Sequence, residues 1–259
     1  MLITGIIGYP LETTYSPRMH TAAFRAKKID GVYLRIPVEP TRLKDVLDAL
    51  GVIGCRGVNV TNPHKETVLL FLNRISKEAQ EVGAVNTVVF DEDGLSGYNT
   101  DVYGFRVLLE HADIDLQGKN VLMIGAGGVA KAAAWVLKQY QPDRLYVHDI
   151  ERAKAEALAS RFDAATVIPA DALQTTLNNT AMVINASPVD FQDDVTPFMQ
   201  RGSLYLDLNY KFPLRRHGNI RCINGLEMLL YQGVRAFEIF TGEKAPVAVM
   251  QKALGMNHD

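Results

Sequence analysis

The polar residues ahead of position 110 are clustered in an unusual way. Asn59, Thr61, Asn62, His64 and Lys65 crowd into one short stretch, Asn86 and Thr87 interrupt an apolar strand, and Asn99, Thr100 and Asp101 end another strand and open a helix. On a strand, positions 59 and 61 face the same side. Polar groups where strands run into loops are the places at which α/β folds build sites. Any one of these residues reads equally well as a turn former or a cap. Taken as a set, they read as the lining of a pocket for a small molecule. Within the set, a lysine ammonium can polarise a carbonyl and deliver a proton, and a carboxylate can orient it.

A second chemical signal is Gly125-Ala126-Gly127-Gly128-Val129-Ala130, between an apolar run at 120–124 and an alanine-rich stretch. Gly125 would allow a tight turn, and Gly127 would let a pyrophosphate approach the backbone. Ala130, in the place of a third glycine, would let helix and strand pack closely. The phosphates would then lie at the positive end of the helix. The pattern is weak alone, but its required context of strand before and helix after is predicted independently. The next strand ends at Asp149, 24 residues after Gly125. That is close to the ~20 expected of a carboxylate that accepts from the adenosine ribose. A carboxylate there repels a 2′-phosphate and favours NAD over NADP. Arg152 stands one turn on and could still reach such a phosphate, and Asp149 could instead serve only to cap the next helix.

The elements that must position these residues follow from periodicity. Strands are predicted at 3–8, 32–38, 57–61, 84–90, 95–99, 120–124, 144–148, 181–186 and 203–207. Residues 91–94 (Asp-Glu-Asp-Gly) form a hairpin signal. Helices are expected from Ser16, read as an N-cap before Pro17, and from Thr41, also read as a cap. Others are expected at 150–161, from Gly225 to about Phe240, and after Pro246. The β-α-β alternation predicts an α/β protein: an N-terminal α/β substrate-binding domain and a Rossmann-like, doubly wound dinucleotide-binding domain.

Composition excludes several classes. With 259 residues, the chain has room for two domains at about 150 each. Hydrophobic residues are 47% and charged residues 22%, so it is globular rather than disordered. Twenty-seven Lys and Arg against 29 Asp and Glu leave a net charge of −2, which speaks against a nucleic-acid partner. No apolar run is long enough for a membrane span. Two distant cysteines, Cys55 and Cys222, fit a reducing cytoplasm rather than a disulfide framework. No histidine pair has metal-ligand spacing, so no metal is expected. Monomer and homodimer both remain open.

Four motifs together resemble the shikimate dehydrogenase family, in the family's order. Gly57-Val58-Asn59-Val60-Thr61-Asn62-Pro63-His64-Lys65-Glu66 is similar to its G-x-N-V-T-x-P-x-K-E. Gly83-Ala84-Val85-Asn86-Thr87 is similar to G-A-x-N-T, and the run from Gly97 to Phe105 to G-x-N-T-D-x-x-G-F. Gly225 to Gln232 is similar to G-x-x-M-L-x-x-Q. The resemblance implies that Lys65 and Asp101 form a catalytic pair converging on one substrate oxygen. It implies that Thr14 and Ser16 hold a substrate carboxylate, and that Asn59, Thr61, Asn86, Tyr210 and Gln232 bind the ring and its hydroxyls. On the cofactor side it implies Gly125, Ala126, Gly127, Gly128, Val129 and Asp149, with Asn185, Ala186, Ser187, Gly225 and Met228. It also implies two domains flanking a cleft, 1–100 completed by 225–259 and 101–224, with the C-terminal helix returning to the N-terminal domain. The expected reaction is the reversible NAD(P)-dependent reduction of 3-dehydroshikimate to shikimate, in aromatic amino acid biosynthesis. The alternatives are an NAD-linked quinate/shikimate dehydrogenase working oxidatively, or a nucleotide sensor on the same fold, which would be expected to lack Lys65 or Asp101.

Four departures from the family pattern stand out. The usual H-S-x-S is Thr13-Thr14-Tyr15-Ser16. The N-R-T of NADP-dependent members is replaced by Asp149-Ile150-Glu151, which supports NAD. The usual N-A-T-S-x-G-M is reduced to Asn185-Ala186-Ser187-Pro188. The stretch from Asp207 to Gly225 is short and carries Arg215, Arg216 and His217.

Overall fold

The computed structural model describes residues 1–256; the last three residues, His258 among them, lie outside the described residues. The chain forms two compact units. One is Met1–Gly104 with the chain from Leu229 onward, and the other is Phe105–Met228.

The first unit contains β1 (Leu2–Gly8), α1 (Ser16–Ala26), β2 (Gly31–Pro37), α2 (Leu43–Val52), β3 (Cys55–Val60), α3 (His64–Thr67), β4 (Arg74–Ile75), α4 (Lys77–Val82), β5 (Thr87–Asp91) and β6 (Gly94–Tyr98). Its sheet has the order β2-β1-β3-β5-β6-β4. Strands β1, β2 and β3 are parallel, and β5 runs antiparallel to both β3 and β6. Asp91 pairs with Gly94 across the predicted hairpin. Ile7, Leu43, Leu47, Val58, Val60, Val68 and Val88 close one core cluster, all at most 2% exposed.

The chain enters the second unit within α5 (Asp101–His111). There it forms β7 (Asn120–Ile124), α6 (Gly128–Leu137), β8 (Arg144–His148), α7 (Arg152–Ala159), β9 (Ala165–Val167), α8 (Leu173–Leu177), β10 (Met182–Asn185), α9 (Gln192–Val195), β11 (Leu204–Asp207) and β12 (Arg221–Asn224). All six strands are parallel, in the order β12-β11-β10-β7-β8-β9. Numbered within the unit this is 3-2-1-4-5-6 read from the far edge, the order of a dinucleotide-binding sheet. Val121, Leu122 and Met123 are wholly buried, as the inner strand of a sheet covered on both faces must be. The chain returns to the first unit within α10 (Leu226–Thr241) and ends with α11 (Val247–Ala253), which packs on α1.

Two cap readings need correction. Ser16 is the first residue of α1 rather than its cap; Tyr15 precedes the helix and caps it with no side-chain bond. Thr41 lies in a 3₁₀ turn over Pro40–Arg42, and the following α2 starts at Leu43. Strands β4, β9 and β12 and helices α3, α4, α8 and α9 are absent from the sequence reading. Each is too short, at two to six residues, for a period to show. Among the described residues, no helix is long and apolar enough to cross a membrane, and no group of three His, Cys, Asp or Glu could hold a metal.

Candidate active site

In the first unit, three chain segments bring the polar set together. Lys65 sits in the single turn α3. That turn is fixed by a 2.7 Å contact of the buried His64 ring with the Val38 carbonyl and by the Lys65 carbonyl accepting from Val85 N–H at 2.8 Å. Asp101 opens α5, its N–H held by Asn99 Oδ1 at 3.1 Å, while Asn99 Nδ2 donates to the Ala84 carbonyl at 2.8 Å. Gly83, at φ +72°, ends α4 and turns the chain into Ala84-Val85-Asn86, a conformation that favours glycine.

The centre is an ion pair. Lys65 Nζ donates to Asp101 Oδ2 at 2.5 Å, and the two side chains are 16% and 7% exposed. Asn86 Nδ2 donates to Asp101 Oδ1 and to Thr100 Oγ1, both at 2.9 Å. Asn86 Oδ1 accepts from Thr100 N–H at 2.7 Å and from the Thr87 hydroxyl at 3.0 Å. So Asp101 is held at both oxygens. Lys65 spends one of its three protons on Asp101, which leaves two for an oxygen of a bound molecule.

The remaining residues of the predicted substrate set fall into distinct environments. Thr14, half-buried, accepts from Ser16 N–H at 3.3 Å, and Ser16 is buried at the start of α1. Backbone N–H groups at such a helix start suit a carboxylate. Thr61 stands just past β3; its methyl lies against Gly8, where an added Cβ would come within 2.4 Å. Gln232, on α10, is 9% exposed and donates to the Leu229 carbonyl at 2.8 Å. Asn59 differs from these. Its Nδ2 donates to the Asn86 carbonyl at 3.3 Å and to Thr87 Oγ1 at 3.0 Å, and its Oδ1 accepts from Tyr33 at 2.7 Å. Its amide is committed to the scaffold of the site. Tyr210 is half-buried in the second unit, three residues past β11.

In the second unit, Gly125 adopts φ +100°, and a Cβ there would meet the Ala186 carbonyl at 2.9 Å and Ser187 N at 3.0 Å. Glycine is required on both counts, and the contact places the turn after β7 against the turn after β10. These strands flank the point where the strand order reverses, which is where such sheets bind ligands. A Cβ on Gly127 would meet nothing within 4 Å, so a ligand can approach the backbone there. Gly128 and Val129 open α6, and the fully buried Ala130 packs it down. Asp149 accepts from Ala126 N–H and from Glu151 N–H, each at 2.8 Å. Its carboxylate is thus tied to the glycine turn itself, while Arg152 pairs with Glu156 at 2.8 Å. The glycine turn, the open side at Gly127, the α6 N-terminus and the fixed carboxylate together fit a dinucleotide.

Asn185 Oδ1 accepts from Ser187 N–H at 3.1 Å and from its hydroxyl at 2.7 Å, which shapes the turn that carries Ala186. Beside it, burial pushes the Asp207 carboxyl up to about 6. Gly225 gives room for a close crossing, since its Cβ would lie 2.5 Å from the Leu208 carbonyl, and Met228 is buried on α10. The short stretch after β11 is bolted to α9. Arg215 bonds Asp190 at 2.8 Å and Asp193 at 2.9 Å, and exchanges backbone bonds with the Gln192 amide.

Tyr33, His20 and Asp207 do not emerge from the sequence as site residues. Tyr33 lies on an apolar strand and His20 on an apolar helix face, so both read as core.

Comparison with known proteins agrees with this geometry. Residues 6–88 match the family described as shikimate dehydrogenase substrate binding domain, 108–195 that described as shikimate / quinate 5-dehydrogenase, and 225–254 the shikimate 5'-dehydrogenase C-terminal domain. The chain is 38% identical to the shikimate dehydrogenase (NADP(+)) of Carboxydothermus hydrogenoformans, covering 98% of this chain and 97% of that one. The Thermus thermophilus shikimate 5-dehydrogenase, solved with NADP(H) and shikimate, superposes with a TM-score of 0.85 at 31% identity, over 98% of this chain and 99% of that one. Quinate dehydrogenase from Corynebacterium glutamicum, solved with NAD, gives 0.86 at 29% identity, over 99% of both chains. With the motif order, both sheets and the relatives' full length all matched, this chain belongs to the shikimate dehydrogenase family.

Proposed function

We propose that the protein catalyses the reversible reduction of 3-dehydroshikimate to shikimate by a reduced nicotinamide dinucleotide. The observation that carries the reading is the Lys65–Asp101 pair at 2.5 Å, with Asn86 holding the other Asp101 oxygen. The dinucleotide, when bound, supplies the hydride. Lys65 polarises the substrate carbonyl and gives a proton to its oxygen as the alcohol forms; in the reverse direction it takes that proton back. Asp101 orients the ammonium, and its position is fixed before substrate arrives, so little reorganisation is left for the reacting state. Thr14 and Ser16 hold the substrate carboxylate at the start of α1. Thr61 and Gln232 fix the ring, and Asn86, its amide wholly engaged, holds Asp101.

The glycine turn at 125–129 and the shaped turn at 185–187 hold the dinucleotide, with Gly225 and Met228 completing that side. The finer reading is a preference for NAD, and it rests on Asp149. Fixed by two backbone N–H groups, that carboxylate accepts a ribose hydroxyl and repels a 2′-phosphate. The curated relatives are named for NADP(+), and the preference for NAD rests on Asp149 alone.

The test is steady-state kinetics over a grid of shikimate or quinate with NAD or NADP. Turnover of shikimate with a higher kcat/KM than quinate supports the reading. A quinate preference transfers the function to quinate oxidation, and a kcat/KM with NADP at least equal to that with NAD removes the role given to Asp149.

A further inference from the structure

We propose that Tyr33 is a positioning residue of the reaction: its hydroxyl anchors the far end of a one-directional hydrogen-bond chain that orients the Asp101 carboxylate towards Lys65. The proposal rests on the functional reading above and adds to it a residue on an inner face of β2, four links from the ion pair.

Chemistry fixes the direction of the chain at its two amides, Asn59 and Asn86. The Asn86 carbonyl can only accept, so the Asn59 atom 3.3 Å from it is the amide nitrogen. The other end of Asn59 is therefore oxygen, and the Tyr33 hydroxyl 2.7 Å away must donate to it. Asn59 Nδ2 also donates to Thr87 Oγ1 at 3.0 Å, and the Thr87 proton has two acceptors, Asn86 Oδ1 at 3.0 Å and Thr100 Oγ1 at 3.3 Å; the Thr100 hydroxyl in turn lies 3.1 Å from Asn86 Oδ1, so both routes lead to that atom. That atom is oxygen because Thr100 N–H, a donor only, points at it from 2.7 Å. The Asn86 nitrogen then necessarily donates to Asp101 Oδ1 at 2.9 Å, leaving Oδ2 for Lys65. Every proton from Tyr33 onward points towards Asp101. Reversing the amide of Asn59 or of Asn86 would set two donors or two acceptors face to face.

The anchor is itself held. The His20 ring lies parallel to the Tyr33 ring, with centroids 4.3 Å apart and planes 9° apart, and is wholly buried. Phe24, Phe237 and Phe240 surround His20 at centroid distances of 6.4, 6.4 and 6.2 Å, within the range of favourable aromatic pairs. Tyr33 is 5% exposed, so water has little access to replace its hydroxyl. Linked hydrogen bonds in a low-dielectric interior strengthen one another, so loss of the first link is felt at the last.

The experiment compares Tyr33→Phe, Thr87→Val and the double variant in the full chain. Kinetics use shikimate with the better cofactor, and the Asn86 side-chain amide resonance is read by NMR without substrate. In each single variant kcat falls about tenfold with KM for shikimate changed less than about twofold, because the chain acts on proton transfer and not on binding. The double variant is no worse than the worse single one, as expected of two breaks in one chain. The Asn86 amide resonance moves in Tyr33→Phe although three links separate the two side chains. A kcat within about twofold of wild type in either folded single variant, an unmoved Asn86 resonance, or fully multiplicative losses in the double variant would overturn the proposal. If Tyr33→Phe does not fold, Thr87→Val alone carries the test. A wild-type protein that turns over neither shikimate nor quinate, with the resonance shift present, defeats the functional reading and leaves the chain standing.

Discussion

His20→Phe should change the pH dependence of stability in a defined direction. In the folded chain His20 is wholly buried, neither ring nitrogen has a hydrogen-bond partner among the described residues, and burial lowers its pKa from 6.5 to about 3. The unfolded chain binds a proton here below pH 6.5, and the folded chain does not until about 3. The stability tied to neutral His20 is therefore whole above 6.5 and is lost as pH falls through that window, at about 1.4 kcal/mol per unit. At about pH 5 the loss is about 2 kcal/mol, roughly a thirtyfold change in the folding equilibrium. Asp207 runs the other way. Burial raises its pKa from 3.8 to about 6, so its contribution is present below 3.8 and lost as pH rises through about 6. The two slopes oppose each other in the wild type, and the informative quantity is the difference between wild type and variant. Phe keeps the stack on Tyr33 among Phe24, Phe237 and Phe240 and carries no proton. Urea unfolding by circular dichroism at about pH 5 and about pH 8 measures it. Relative to wild type, the variant gains about 2 kcal/mol on going to the lower pH, whatever constant offset the extra ring volume adds. Equal shifts in both proteins would show that His20 is protonated in the folded state and refute the reasoning.

Lys65→Ala should lower kcat by about 10²- to 10⁴-fold with a much smaller change in KM, because its proton transfer belongs to the reacting state; near-normal turnover would remove it from the mechanism. Asp207→Asn should become more favourable relative to wild type as pH rises from about 4 to about 6.5, by on the order of 2 to 3 kcal/mol in urea titrations; a pH-independent difference would count against a raised carboxyl. Gly125→Ala forces φ +100° on a residue with a Cβ and drives that Cβ into the Ala186 carbonyl. The strain is about 1–3 kcal/mol. Weaker dinucleotide binding by calorimetry, with shikimate binding kept, is the expected result, and unchanged dinucleotide affinity would contradict it.

The parts legible in the sequence are those with a local physical signature. The buried run at 120–124, the glycine turn and the alanine-rich helix announce one another, and Asp91-Glu92-Asp93-Gly94 marks its own hairpin. Lys65 and Asp101 are legible because flanking motifs fix them, although their contact joins residues in separate elements. Caps are less legible. Thr41 has the right side chain, but Pro40 starts a 3₁₀ turn there and the α-helix begins only after it. Asn59 reads as a ligand contact because it is polar on a strand, yet a strand two places away in the sheet brings the Tyr33 hydroxyl within 2.7 Å and uses its oxygen. That link depends on the order of strands in the sheet, with β1 between β2 and β3, which no local pattern encodes. Strand β12 escapes for a related reason: its four residues owe their place to pairing with β11 rather than to their own composition.

The two hydrogen bonds received by Asp149 bear on any attempt to redesign cofactor choice. Replacing it with a neutral side chain would be the natural first step towards accommodating an extra phosphoryl group, yet the same change would release Ala126 N–H and Glu151 N–H from their shared acceptor. A redesigned variant would thus begin with a loosened phosphate cradle: the single oxygen of Asn can keep one of the two amides while its NH2 faces the other, and Ala or Gly would release both.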